Sequence, residues 1–232
     1  MNLGVIIAAG GTGTRMGAGS SKQLLDLAGR PVLAHTVAIF DAYAGVAAIV
    51  IAIEPDDIER CRAEVVEKYG FSRVTEVVPG GSSRAESVKT ALEALDPAAD
   101  TVLVHDGARP MFPAGLLEKG LAELEKGPDG VVFGVRVVDT IKEVDAGGAV
   151  LGTPGRERLW AAQTPQIFRR EVLERAYRMP AAVLAQATDD AMLVEIAGGK
   201  VKMVMGSIEN IKITTPVDLA VAAEILRRRR LG

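Results

Sequence analysis

The chain has 232 residues, 48% of them hydrophobic and 25% charged, with a formal net charge of −3. That balance belongs to a folded globular protein and counts against disorder and against a duplex nucleic-acid partner, whose polyanionic backbone favours a basic protein. A lone cysteine, Cys61, excludes an intrachain disulfide framework, and no apolar run reaches the roughly 18 residues of a membrane span.

In chain order, the strand-like run LGVIIAA from Leu3 gives way to a glycine-rich loop that reaches Lys22. Behind Pro31 comes the helix-like PVLAHTVAIFDAY, which carries His35 as an ordinary helix residue. VAAIVIAI from Val46 precedes the helical PDDIERCRAEVVEKY, in which Cys61 reads as a quiet structural residue. VTEVV from Val74 precedes SRAESVKTALEAL, and TVLVHD from Thr101 precedes PAGLLEKGLAELEK. GVVFGVRVV from Gly130 and VKMVM from Val201 complete the strand-like runs. The basic run from Arg227 to Arg230 reads as a solvated helix end, where cations complement the macrodipole.

Near-continuous apolar strands separated by helices predict an α/β fold: a Rossmann-like, mostly parallel sheet with helices on both faces. In such sheets ligands bind beyond the carboxyl ends of the strands. From Asp139 to about Trp160 the pattern changes to weak alternation around Gly147 and Gly148. This predicts a protruding β-arm, suited to a lid or a dimer contact. Residues 1–232 are expected to form one domain with that arm, and the absence of a signal-peptide pattern predicts a cytoplasmic protein with no membrane partner.

The glycine loop fits neither the dinucleotide fingerprint nor the P-loop, because its glycines have the wrong spacing and Lys22 lacks the flanking residues. Gly11, Gly13, Thr14, Arg15 and Met16, followed by Lys22, instead form G-x-G-T-R-M with a lysine seven residues after the arginine. Small residues there let backbone N–H groups approach phosphate oxygens, and Arg15 and Lys22 add charge where a polyphosphate gains it in the transition state.

GGTGTRMG…KQ resembles the signature of nucleotidyltransferases that join a sugar or polyol phosphate to a nucleoside triphosphate. VHDGARP (Val104–Pro110), DTIK (Asp139–Lys142), LWAAQTPQ (Leu159–Gln166), TDDA (Thr188–Ala191) and NIKITTPVDL (Asn210–Leu219) follow in order. Together they resemble the 2-C-methyl-D-erythritol 4-phosphate cytidylyltransferase family of the non-mevalonate isoprenoid pathway, over essentially the whole chain.

The resemblance implies attack of a polyol phosphate on the α-phosphorus of CTP, with pyrophosphate leaving and Mg²⁺ as cofactor. Arg15, Lys22 and Lys212 would be catalytic. Ala9, Gly10, Gly11, Gly13, Thr14, Gly80, Gly81, Ser87 and Asp106 would hold CTP, with Asp106 also the metal ligand. Arg109, Thr140, Arg156 and Thr164 would hold the second substrate. The family also implies a homodimer with arm exchange, in which Thr140 and Arg156 complete the partner's site.

Other residues are assigned more plainly. Arg84 is read as shaping its loop, within a capped helix start at SSRAES. His105 is expected to be a packed strand residue on the face opposite Asp106. Asp189 and Asp190 are left out of the site, with Thr188 or Asp189 as a helix cap. The rival activities are a ribitol 5-phosphate cytidylyltransferase, whose strand-end motif tends to HDAVRP, a dinucleotide-binding oxidoreductase, and a non-catalytic nucleotide-binding regulator.

Overall fold

In the computed structural model, which describes residues 2–11 and 22–229, the first apolar run forms β1 (Leu3–Ala9) in the interior of the sheet. A short antiparallel pair, β2 (Asp26–Leu27) and β3 (Arg30–Pro31), leads into α1 (Val32–Asp41). The chain then alternates through β4 (Val46–Ile53), α2 (Ile58–Cys61), β5 (Val74–Pro79), α3 (Arg84–Ala94), β6 (Thr101–Asp106), α4 (Gly115–Glu125) and β7 (Gly130–Arg136). The arm carries β8 (Glu143–Val144) and β9 (Val150–Gly152), and β10 (Trp160–Arg169) returns to the sheet. Helices α5 (Arg170–Tyr177), α6 (Ala181–Leu184) and α7 (Asp190–Ile196), then β11 (Val201–Met205) and α8 (Pro216–Arg229), complete the order.

The seven-stranded sheet runs β11-β7-β10-β6-β1-β4-β5, with β10 antiparallel to both its neighbours and every other pair parallel. Strand β10 is the element missing from the sequence reading. Its middle, Gln163-Thr164-Pro165-Gln166, is polar and interrupted by proline, and its ladder to β7 breaks between Ala162 and Gln166. The expected continuous helix from Pro55 is also modified. It is a 3₁₀ turn (Pro55–Asp57), α2, and a π-helical stretch (Arg62–Glu67).

Because successive strand residues face opposite sides, each central strand supplies both cores. Val5, Ile7, Ile51 and Leu103 face one side and pack with Phe40 and Phe112. Ile6, Val50, Val102 and Val104 face the other, against Val88, Leu92 and Leu173. His105 follows Leu103 onto the first side, where it is buried with ring centroids 5.0 Å from Phe40 and 6.0 Å from Phe112. The packed-strand reading of His105 is what the structure shows. The Cys61 thiol is buried and burial pushes its pKa up to about 12, an inert structural group.

The arm is a hairpin whose turn places Gly148 at φ 84°, a conformation that glycine adopts without steric cost. It exposes Val138, Val144, Val150 and Leu151. The basic helix end is paired at the surface: Arg227 and Arg228 both reach Glu224, and Arg229 reaches Glu209. No helix among the described residues is long and apolar enough to cross a membrane.

Candidate active site

The strand order places β4 on one side of β1 and β6 on the other, so the carboxyl ends of β1 and β6 flank a topological switch point. The end of β6 is held tightly. Gly107 donates its N–H to the Ala8 carbonyl at 2.8 Å, and a Cβ on Gly107 would stand 3.0 Å from the Ala9 Cβ. The Thr36 hydroxyl on α1 donates to the Gly107 carbonyl at 2.9 Å. These contacts fix Asp106, the last residue of β6, which is 6% exposed.

Among the described residues, three cations surround that carboxylate. Lys212 Nζ lies 2.9 Å and Arg109 Nε 3.1 Å from Oδ2, while Arg84 Nε lies 3.5 Å from Oδ1. Burial alone would raise the Asp106 pKa, but the charges of Arg84, Lys212 and Arg109 outweigh it and hold the carboxyl well below the usual carboxylate range. Asp106 is therefore an anion at neutral pH.

Each cation is positioned by a different element. Arg84 opens α3, whose start is capped as expected: the Ser83 hydroxyl accepts from the Glu86 N–H at 3.1 Å, and Glu86 Oε2 accepts from the Ser82 N–H at 2.8 Å. Arg109 donates to the Asn210 carbonyl at 2.9 Å. Lys212 lies on a segment without regular secondary structure tied to the turn after β6, where the Ile213 N–H donates to the Ala108 carbonyl at 2.8 Å. Buried Asn210 anchors the same segment by donating to the Thr164 carbonyl at 2.8 Å.

Two clefts meet at this cluster. One, of about 210 Å³, is lined by Gly10, Gly11, Gly81, Ser82, Ser83 and Ser87 together with Arg84, Asp106 and Lys212. The other, of about 250 Å³, is lined by Arg109, Gln163, Thr164, Gln166 and Asp189 with the same three residues. Small residues in the first cleft bring backbone close to its contents, whereas the second is walled by polar side chains.

Ser87 ties the first cleft together. Its hydroxyl accepts from the Gly81 N–H at 3.0 Å and donates to the Ser83 carbonyl at 2.9 Å. A Cβ at Gly10 or Gly80 would come within 3.3 Å and 3.2 Å of that oxygen, a tight approach that glycine avoids where β1 and β5 lead into the cleft. In the second cleft, Thr164 Oγ1 accepts the Asp106 N–H at 3.0 Å, which leaves its own hydroxyl proton for another acceptor.

The structure thus brings together Gly10, Gly11, Gly81, Ser87, Asp106, Arg109, Thr164 and Lys212. Ala9 is buried behind the cleft, and Gly80 packs under its wall. Thr140 and Arg156 line neither cleft; both are exposed on the arm, where Arg156 donates to the Val138 carbonyl at 2.6 Å. Gly13, Thr14, Arg15 and the Lys22 side chain lie outside the described residues.

Sequence reading missed the deeper shell. Arg84 does more than shape its loop: besides touching Asp106, its Nη2 lies 2.7 Å from Asp190 Oδ2. Asp189 caps α7 as expected, accepting the Met192 N–H at 2.9 Å. Asp190 is fully buried and accepts the Tyr177 hydroxyl at 2.5 Å. The available signal was the doubled carboxylate in TDDA, since a helix start needs only one cap.

A divalent cation fits this geometry. The described residues hold no cluster of three or more His, Cys, Asp or Glu that could ligate a metal by themselves. Magnesium, however, commonly uses one or two carboxylates with substrate phosphates and water. Asp106 Oδ1, whose one cation contact among the described residues is the long one to Arg84, is an oxygen that could take part in such a site.

The family model for 2-C-methyl-D-erythritol 4-phosphate cytidylyltransferase matches residues 3–228. The enzyme of that name from Alkaliphilus metalliredigens is 43% identical over 228 residues, covering 98% of this chain and 94% of its own length. Its namesake from Geotalea uraniireducens is 44% identical over 229 residues, with 98% and 97% covered. The crystal structure of 4-diphosphocytidyl-2C-methyl-D-erythritol synthase from Anaerococcus prevotii superposes with a TM-score of 0.83 at 31% identity, over 98% of this chain and 96% of that one. With a matching fold, a full-length family match and these relatives, the chain belongs to the 2-C-methyl-D-erythritol 4-phosphate cytidylyltransferase family.

Proposed function

We propose that this chain transfers the cytidylyl group of CTP to 2-C-methyl-D-erythritol 4-phosphate at the two clefts that meet on Asp106. A phosphate oxygen of the polyol phosphate attacks the α-phosphorus of CTP, forming one P–O bond. The bond between the α-phosphorus and the bridging oxygen breaks, and pyrophosphate leaves. No side-chain nucleophile takes part, so the protein's contribution is positioning and charge stabilisation. The carrying observation is one buried carboxylate ringed by Arg84, Arg109 and Lys212 between a glycine-and-serine cleft and a polar one.

In this reading the glycine-lined cleft takes the nucleotide, with Gly80, Gly81 and Ser87 at the base and ribose and the segment from Ala9 to Thr14 at the phosphates. Asp106 would hold Mg²⁺ together with the CTP phosphates, and the ion would supply neutralisation of their charge. Lys212 stabilises the crowded phosphorus centre, joined by Arg15 and Lys22 from the loop. Arg109 and Thr164 receive the polyol phosphate, Arg109 because its planar fork pairs two oxygens. Before substrates arrive, Asp106 keeps the cations gathered in place.

Thr140 and Arg156 act in the partner's site of a homodimer. What supports this is an arm that leaves Val138 76% and Leu151 65% exposed, an apolar surface suited to burial against a second copy.

The test is pyrophosphate release by the purified protein with Mg²⁺ and CTP. Methylerythritol 4-phosphate and ribitol 5-phosphate are offered side by side, with UTP and ATP replacing CTP as controls. Release with CTP and methylerythritol 4-phosphate alone is expected. Preference for ribitol 5-phosphate, or nucleotide binding without release, would overturn the reading.

A further inference from the structure

Asp106 has two oxygens with unequal company. Among the described residues, Oδ2 receives both Lys212 at 2.9 Å and Arg109 at 3.1 Å, whereas Oδ1 has only Arg84 Nε at 3.5 Å. Arg84 is not short of an anion, because its Nη2 makes the shorter contact, 2.7 Å, to Asp190. Asp190 is fully buried, and its other oxygen is fixed by the Tyr177 hydroxyl at 2.5 Å. Tyr177 is itself packed in the core on the α3 face of the sheet. A guanidinium shared between two carboxylates sits nearer the one that is better oriented, and here that is Asp190.

We infer that Asp190, oriented by Tyr177, is a positioning residue that draws Arg84 away from Asp106 and so keeps Asp106 Oδ1 available to the magnesium–nucleotide complex. The inference rests on the reading of Asp106 as the magnesium carboxylate. Without the Asp190 charge, Arg84 has one anion left within reach and closes on Oδ1. A divalent ion then has to displace a full ion pair rather than a long contact. Asp190 does not touch the substrates; it acts through Arg84.

The experiment measures Mn²⁺ binding, as a magnesium substitute, by electron paramagnetic resonance in the presence of CTP. The full chain is compared with Asp190→Asn, Arg84→Met and the double variant, each checked for folding by thermal denaturation. Asp190→Asn should weaken Mn²⁺ binding about 10-fold, a change of ~1.4 kcal/mol. In the Arg84→Met background the same substitution should have little further effect, because its route is gone.

Unchanged Mn²⁺ binding in folded Asp190→Asn, or equal losses with and without Arg84, overturns the inference. If Asp190→Asn does not fold, the double variant decides, since it leaves no lone buried charge. It should bind Mn²⁺ at least as tightly as the unaltered chain, and weaker binding is fatal to the idea. Failure of the unaltered chain to bind Mn²⁺ with CTP would instead sink the reading of Asp106 on which the inference stands.

Discussion

The Lys212 ammonium lies 2.9 Å from Asp106 Oδ2, joining a segment near the end of the chain to the tip of the central strand β6. Its side chain is 39% exposed, so the contact holds the fold together only weakly and has its main consequence for chemistry. Lys212→Gln should therefore lower kcat by ~10²-fold while leaving the melting temperature nearly unchanged. Steady-state pyrophosphate release and a thermal scan on the same sample check both halves, and an active variant removes Lys212 from catalysis.

Thr164 has the opposite balance. Its buried hydroxyl is the acceptor for the Asp106 N–H, so Thr164→Val leaves a backbone donor without a partner. A loss of about 1–3 kcal/mol in urea unfolding is expected, together with reduced activity. Thr164→Ser, which restores the oxygen, should recover most of both. Equal stability of the valine variant would show that another acceptor replaces the threonine.

Ser87 joins the two sides of the glycine-lined cleft through Gly81 and Ser83. Ser87→Ala should cost about 1 kcal/mol and raise KM for CTP severalfold, with KM for the polyol phosphate little changed. A selective effect on the polyol phosphate would mean that the clefts have been assigned in the wrong order.

His105 predicts a pH dependence of stability. Burial, only partly offset by its bond to the Arg109 carbonyl and by Asp106, lowers its pKa from 6.5 to about 4. The unfolded chain thus binds more protons than the folded one between these values. The stability gained by keeping the ring neutral is fully present above about pH 6.5 and is lost as pH falls toward 4, on the order of 3 kcal/mol in all. His105→Gln should lose less stability than the unaltered chain between pH 7 and 4.5 in urea titrations. Parallel curves would refute this.

The arm's apolar surface gives a concentration-dependent prediction. Leu151→Asp places a charge on a residue 65% exposed in one chain, where a lone chain would tolerate it. Analytical ultracentrifugation should show a dimer for the unaltered protein and a monomer for the variant, with activity reduced. A full-activity monomer at nanomolar concentration would end the proposal that Thr140 and Arg156 serve the partner.

The legible parts of this molecule were those whose signal is local. Asp106 could be placed at a strand end because an apolar run stops on it, and a capped helix start within SSRAES because a cap and its partner are only three residues apart. His105 and Asp106 were separable by strand alternation alone. The Arg84–Asp190 pair spans 106 positions and leaves no periodic trace, so only the folded chain reveals it. Strand β10 was hidden for a related reason. Its polar residues are satisfied from afar, Gln166 by Asp189 at 2.7 Å and Gln163 by Ser207 at 2.9 Å, whereas an interior strand usually announces itself by apolar residues.

The broken ladder of β10 between Ala162 and Gln166 allows two consecutive residues to serve one cleft. In an unbroken strand, Gln163 and Thr164 would point to opposite faces. Here Gln163 Nε2 meets Ser207 while Thr164 meets Asp106. The interruption makes this stretch intolerant of length change. Deleting one residue would rotate Thr164 away from β6 and shift every pairing from Gln166 onward, so natural variation there should come as substitutions rather than as insertions or deletions.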